Sequence, residues 1–572
     1  MSANHPSPRI LIIGLDGATF DLILPWVSEG KLPHFAHLLT KSSYGTLLST
    51  HPPATFPAWT TFMTGKNPGK HGIYDFTQRK SGSYEIRFLN STFRKGNTIW
   101  QLLSEHGKRV GVMGVPATYP PEPLNGFTIC GFDSPVATGI DGSFVYPKEL
   151  YGELKQKLGE YKIADFQEVH IDEDWHEKAL SKILENLERK AAYTYYLFQK
   201  EPWDCFMVLF GESDTVSHHF WMFHDRHSPR YDQRKATTLG NAILTVYQKL
   251  DEIIGTLLSL SADDTCLMLL SDHGFGGAGD KVIYLNRWLE QNGYLCFKTD
   301  KRWLYNLLNW SKKIALEGLP PRLQEAFFRK GSGSIASKVE SLSRFGLINW
   351  GQTSVFSEEL NYFPSLWINL KGREPGGIVA PGYPYEKLRD ELIEKLSLFI
   401  NPLTNEKVVK RAYKREELYQ GDELDKAPDI ILELNLDQGY SYSLLPSSAP
   451  GKERIRTLTT HEFPGAKGRS MNGSHRREGM VVLQGPPILK GEEFSGASLM
   501  DLAPTILYLL QCPIPPDMDG KVIREAFYED FLKSNPIHYE KSGKEVYERV
   551  PKDLTDNEER TLKARLKGMG YF

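Results

Sequence analysis

The sequence predicts an α/β fold, a doubly wound and mostly parallel sheet flanked by helices, from three observations. Four short runs, Ile10 to Leu15, Cys205 to Phe210, Thr265 to Leu270 and Met480 to Leu483, are apolar on both faces and rich in branched or aliphatic residues. Strands of a parallel sheet covered on both sides read this way. Amphipathic stretches at Thr98 to Glu105, Trp175 to Gln199 and Gly240 to Leu260 predict helices between the runs. Such alternation over several hundred residues is the mark of helices layered on both faces of one sheet.

At roughly 150 residues per domain, the 572 residues amount to about four domain-equivalents, which a single large enzyme can absorb. With 40% hydrophobic and 24% charged residues the chain can bury a large core, which excludes disordered, collagenous and minimal staple-dependent classes. The strand pattern occupies residues 1–290 and resumes over 470–525. Between them, 291–469 predicts an inserted cap or subdomain. It is basic and aromatic early (Lys301-Arg302-Trp303-Leu304-Tyr305), rich in glycine and serine around Gly331 to Ser337, and rich in proline and glycine around Glu374 to Tyr385. Residues 526–572 are charged and polar, with Pro536 and Pro551, and predict a peripheral C-terminal helical extension.

Lysine plus arginine is 68 and aspartate plus glutamate 71, a net charge of −3. That balance offers no electrostatic reason to expect a nucleic-acid polymer or a membrane surface as partner. The five cysteines, Cys130, Cys205, Cys266, Cys296 and Cys512, never form a CxxC pair. A disulfide framework or thiolate metal site is therefore not expected, and a reducing compartment, the cytoplasm, is. No apolar stretch approaches the roughly 18 residues a bilayer span needs. The start MSANHPSPRILIIGLD lacks a basic region and a small-residue cleavage site, so no signal peptide is read.

In doubly wound sheets ligands gather beyond the carboxyl ends of the strands. After the first run stands Asp16-Gly17, after the second Gly211 to His218 with Asp214 and His218, and after the third Ser271-Asp272-His273-Gly274. Just before the fourth stands Gly473-Ser474-His475-Arg476. Hard carboxylate oxygens mixed with imidazole nitrogens suit Zn²⁺ or Mn²⁺. Three aspartates (Asp16, Asp214, Asp272) and three histidines (His218, His273, His475) suffice for two divalent ions. Any one of them alone reads as a turn former or cap; three strand ends bearing ligand types at one sheet edge read as a metal centre.

Thr55, in Pro52-Pro53-Ala54-Thr55-Phe56-Pro57, precedes the basic, glycine-rich Gly65 to Gly72. A threonine hydroxyl attacks at neutral pH only when a metal or base lowers its pKa. At a helix start it can reach a metal while nearby amides face an anion, and the alternative is a plain helix N-cap.

The set Asp16, Thr55-Phe56-Pro57, Thr64-Gly65, His71-Gly72-Ile73, Asp214-x-x-x-His218, Ser271-Asp272-His273-Gly274 and Gly473-x-His475 resembles the alkaline phosphatase superfamily, and within it the type I phosphodiesterase/nucleotide pyrophosphatase branch. Asp501-Leu502-Ala503-Pro504-Thr505 with Met518-Asp519-Gly520 resembles that superfamily's C-terminal signature. The resemblance implies an alkaline phosphatase-like core and a metal-dependent phosphoric ester hydrolase. It implies that Asp16, Asp272 and His273 hold one ion with Thr55, the nucleophile, as fourth ligand, and that Asp214, His218 and His475 hold the second. Two ions about 4 Å apart clamp the attacking and leaving oxygens of an in-line displacement. The expected substrate is a small-molecule phosphodiester or phosphomonoester, nucleotides included, passing through a phosphothreonine.

One place departs from the pattern. Where nucleotide pyrophosphatases carry a phosphate-binding asparagine after the HGI segment, this chain has Phe76. Loss of such a donor costs about 2.7–4 kcal/mol of transition-state stabilisation unless replaced. Lys66, Lys70 and Arg476 are candidate substrate-binding replacements, with solvated surface charge as the alternative. A phosphomutase resembling the metal-dependent phosphoglycerate mutases, or a non-catalytic binder on the same fold, are the other readings. A sulfatase is excluded by the lack of a C/S-x-P-x-R segment.

Overall fold

The computed structural model describes residues 9–134, 142–161, 174–298, 341, 344–447, 452–463, 471–540 and 550–568. In chain order its strands are β1 (Ile10–Leu15), β2 (Ser43–Leu48), β3 (Thr77–Arg79), β4 (Ile86–Phe88), β5 (Val110–Met113), β6 (Gly126–Ile129), β7 (Val145–Tyr146), β8 (Cys205–Phe210), β9 (Cys266–Leu270) and β10 (Gly274–Ile283). There follow β11 (Val355–Phe356), β12 (Ser365–Ile368), β13 (Val409–Lys414), β14 (Ile430–Leu434), β15 (Leu436–Asp437), β16 (Tyr440–Leu444), β17 (Ile455–Thr457), β18 (Gly473–Arg476), β19 (Glu478–Gln484) and β20 (Glu492–Ser498).

Nine of them form the central sheet, in the order β20-β2-β19-β9-β1-β8-β5-β6-β7. The pairs β9–β1, β1–β8, β8–β5, β5–β6 and β2–β20 are parallel. Alternation along each central strand divides the core in two. Leu11, Ile13, Phe206, Val208, Leu267 and Leu269 face the helices Phe20–Ser28, Trp175–Lys200, Glu212–His224 and Ala242–Leu260. Ile10, Ile12, Cys205, Met207, Cys266 and Met268 face the helices Thr55–Thr64, Ile99–Glu105 and Leu502–Leu509. Side chains of period two on a sheet sandwiched between helices produce this double core, and the expected doubly wound architecture is what forms.

The fourth apolar run corrects one expectation. β19 is antiparallel to both β9 and β2. The cause is its approach: β10 continues β9 beyond the sheet edge, β18 runs back along β10, and one residue later the chain enters β19. A parallel entry would require a crossover of a dozen or more residues.

The span 291–469 contains a separate antiparallel sheet, β11-β12-β14-β13, covered by the helix Tyr383–Ser397. It is not separate along its whole length, because β16 and β17 pair with the core strand β10. The tail is not peripheral either. Its helix Asp556–Gly568 buries Leu562 and Leu566 in the core on the Thr55 side, and Tyr119 donates to Glu558 at 2.7 Å. Leu562 and Leu566 lie four apart and so share one helix face.

Candidate metal centre

Four neighbouring strands, β19-β9-β1-β8, deliver the predicted residues to one edge of the sheet. β1 ends at Leu15 and Asp16 follows; β9 ends at Leu270 and Asp272 and His273 follow. β8 runs into the helix Glu212–His224, where Asp214 and His218, four apart, share a face. Because β19 runs in the opposite sense, its entering end lies at the edge where its neighbours finish, which places His475 there. Strands about 4.8 Å apart set these ends one ligand span from each other.

The side chains converge as two buried clusters, Asp16/Asp272/His273 and Asp214/His218/His475. In the first, His273 Nε2 lies 3.4 Å from Asp16 Oδ1 and 3.5 Å from Asp272 Oδ2. In the second, His218 Nε2 is 3.0 Å from His475 Nε2 and 3.2 Å from Asp214 Oδ1, and His475 Nε2 is 3.4 Å from the same oxygen. The clusters adjoin, with the His273 and His475 rings stacked at 3.7 Å.

Backbone carbonyls fix each imidazole. His218 Nδ1 meets Gly473 O at 3.0 Å, His273 Nδ1 meets Gly274 O at 3.0 Å, and His475 Nδ1 meets Pro53 O at 2.7 Å. A carbonyl only accepts, so Nδ1 carries the proton and Nε2 turns a lone pair into the centre. This is the arrangement that orients metal-binding histidines.

These groups fit divalent ions. Ligand atoms around a tetrahedral ion with bonds of about 2.0–2.1 Å lie about 3.3 Å apart, the spacing found in both clusters. Asp16 Oδ1 and Asp272 Oδ2 are buried and accept no hydrogen bond from the protein. Burial, then the charge of neighbouring aspartates, pushes the Asp16 and Asp272 carboxyls well above their usual range. Burial alone would do the same to Asp214, but His218 and His475 hold it well below. Burial also pushes His273 and His475 down. Carboxylates that repel one another and imidazoles that resist protonation are a donor set for a cation.

Thr55 is the first residue of the helix Thr55–Thr64, after Ala54. Ala54, not Thr55, is the N-cap, and it makes no side-chain cap. Thr55 Oγ1 instead stands 3.4 Å from His273 Nε2, completing the first cluster. The helix is tied down around it. Trp59, one turn on, donates from Nε1 to Asp16 Oδ2 at 3.1 Å. Thr61 Oγ1 bonds His71 Nε2 at 2.9 Å, and Ile73 N donates to His71 Nδ1 at 3.2 Å. His71 is thus a buried strut beneath the helix.

Two glycines make room. Gly17 has φ +65°, and a β-carbon there would meet Phe275 Cδ2 at 2.9 Å, His273 Cε1 at 3.2 Å and Asp214 Oδ1 at 3.3 Å; its amide donates to Asp272 Oδ1. At Gly473 a β-carbon would meet the Ser217 carbonyl oxygen at 2.5 Å.

The three candidate substrate cations do not join the centre. Lys66 is ion-paired with Asp517 and Lys70 with Asp519. Arg476 is bonded to Ser441 and to the Gly277, Gly439 and His475 carbonyls. Phe76 packs on Phe56 with ring centroids 4.8 Å apart, so the asparagine's place is filled by core. From the inserted span, Tyr362 stacks on His475 at 4.1 Å. Trp59 and the Pro53 and Gly473 carbonyls also take part, the last two from segments the sequence singled out without giving those carbonyls a role. Trp59 left a signal in the sequence, by sharing a helix face with Thr55.

No curated protein sequence matches the chain. Among solved structures it is similar to murine ectonucleotide pyrophosphatase/phosphodiesterase 5 (13% identity, 91% of this chain and 100% of that one, TM-score 0.48) and to the human protein of that name (14%, 91% and 100%, 0.47). It is also similar to phosphonoacetate hydrolase from Sinorhizobium meliloti in complex with phosphonoformate (14%, 89% and 97%, 0.48). The model of the type I phosphodiesterase/nucleotide pyrophosphatase family matches residues 10–465. The chain therefore belongs to the type I phosphodiesterase/nucleotide pyrophosphatase family of phosphoric ester hydrolases.

Proposed function

We propose that the protein is a two-metal phosphohydrolase that cleaves a phosphodiester or phosphomonoester of a small molecule, nucleotides included, with Thr55 as nucleophile. The observation that carries this reading is Thr55 Oγ1 at 3.4 Å from His273 Nε2, a hydroxyl standing as a member of a buried carboxylate–imidazole cluster. Asp16, Asp272 and His273 would hold one ion beside Thr55, and Asp214, His218 and His475 the other. Zinc fits the tetrahedral spacing and is the leading identity, with manganese second. Such ions lower the pKa of a hydroxyl and neutralise phosphate oxygens.

The chain's own groups do the rest. Thr55 Oγ forms a bond to phosphorus as the bond to the leaving oxygen breaks, and the leaving oxygen takes up a proton. Water then cleaves the phosphothreonine, releasing phosphate from a monoester or a phosphomonoester from a diester, with net retention after two inversions. Thr55 is the first residue of the Thr55–Thr64 helix, so the amides and positive dipole end of that helix adjoin its hydroxyl and favour negative charge there. The five cysteine thiols, four of them buried, support residence in the reducing cytoplasm.

The test is hydrolysis of bis-p-nitrophenyl phosphate and p-nitrophenyl phosphate by zinc- or manganese-loaded protein. Chelation should abolish turnover. Thr55→Ala should lower it on the order of 10³-fold or more with metal content retained. Full turnover by Thr55→Ala would refute the nucleophile, and phosphate transfer without release would point to a mutase.

A further inference from the structure

We infer that Tyr362, from the inserted span, is a positioning residue for the second ion, acting through His475. The inference rests on the two-metal reading above. The Tyr362 and His475 rings are stacked at 4.1 Å with 11° between their planes. His273 is stacked on the same imidazole at 3.7 Å and 20°. Two rings nearly parallel to a third and within van der Waals reach of it must lie on opposite faces. His475 is therefore the middle of a three-ring stack, and its Nδ1 is bound to Pro53 O. One edge and both faces are fixed, so Nε2 has a single direction.

The segment bearing Tyr362 is anchored. Asn286 N donates to Glu359 Oε1 at 2.9 Å, and Ser447 Oγ donates to the same oxygen at 2.6 Å. Leu444 N donates to Asn361 Oδ1 at 2.9 Å, and Phe363 is buried with Tyr74, Tyr419 and Ile431. Tyr362 is thus held from the inserted span and from β16, with His475 beneath it. Tyr362 stacks on His475 and has its ring centroid 5.8 Å from that of His218, both members of the Asp214/His218/His475 cluster. A loss at Tyr362 should accordingly fall on one ion and spare the other.

Removal of the partner that orients a metal-binding histidine costs 10- to 100-fold in metal affinity. The test counts bound zinc per chain as full-length, zinc-loaded protein is titrated with a competing chelator. Wild type is expected to hold two. Tyr362→Ala, and Tyr362→Leu (which fills the space without a π-face), should release one ion at a 10- to 100-fold lower chelator concentration and keep the other. Tyr362→Phe, which restores the ring, should match wild type. Retention of both ions by the Ala and Leu variants overturns the inference and leaves the centre standing. Equal weakening of both ions, or a Phe variant as weak as Ala, also overturns it by reducing Tyr362 to general packing. A wild type that binds no pair of ions overturns the centre itself and this inference with it.

Discussion

Trp59 and Asp16 join the Thr55–Thr64 helix to the first strand end: the indole Nε1 donates to Asp16 Oδ2 at 3.1 Å, fully buried, while Oδ1 of the same carboxylate turns to His273. One carboxylate thus sets both the cluster and the angle at which Thr55 is presented. Trp59→Phe keeps an aromatic ring, smaller than the indole, and removes the donor. It should cost about 1–3 kcal/mol of stability from the buried acceptor left unmade. Phosphatase turnover should fall about 10-fold or more with the helix no longer registered on the cluster. Urea titration and steady-state kinetics on the same preparation check both.

Gly17→Ala should damage the centre from inside. The new β-carbon meets His273 and Asp214 at van der Waals limits or closer, in a left-handed conformation that costs a non-glycine residue about 1–2 kcal/mol. Zinc content below one ion per chain and a lower Tm are expected. Elemental analysis after gel filtration reads the first.

Asp133 gives the clearest pH dependence away from the centre. Burial pushes its carboxyl up to about 7, while its Oδ2 accepts from Ala117 N at 3.1 Å. A carboxyl whose folded pKa exceeds its unfolded one contributes stability that is complete below about pH 4 and is lost as pH rises through about 7. Asp133→Asn cannot ionise. It should be more stable than wild type by on the order of 2–4 kcal/mol at pH 8, with the advantage vanishing towards pH 4. Denaturation midpoints of both proteins across that range decide it.

Asp519 should matter for stability and not for metal. It accepts from Asn67 N and Nδ2, each at 2.8 Å, and pairs with Lys70, while Asn67 Oδ1 accepts from Gln420 N. It therefore clasps the loop after the Thr55 helix to the inserted span. Asp519→Ala should cost about 1–3 kcal/mol by leaving partly buried donors unmet, with two zinc ions retained. Thermal unfolding and zinc analysis together check the pair of outcomes.

The clustering of these carboxylates and imidazoles was legible because most of them stand beside a run whose burial the sequence itself declares. Asp16, Asp214, Asp272 and His273 follow such runs, and His475 precedes one. Topology was less legible: the apolar pattern of Met480 to Leu483 is the same whichever way the strand runs, and only the short step from β18 decides it. The ion pairs of Lys66 and Lys70 could not be read locally, because their partners, Asp517 and Asp519, are about 450 residues away along the chain. Tyr362 had no local mark at all; its stacking on His475 exists only once the inserted span folds back. Burial of the C-terminal helix did have one, the Leu562/Leu566 spacing, diluted by the charged residues around it.

The reversed entry of β19 has a consequence for synthesis. A chain that has left the ribosome through residue 463 already carries Asp16, Thr55, Asp214, His218, Asp272 and His273, but not His475 or the strand that seals β2 against β9. One of the six clustered side chains, His475, is thus withheld until the last fifth of the 572 residues emerges, so the second cluster can close only once β18 and β19 have been made.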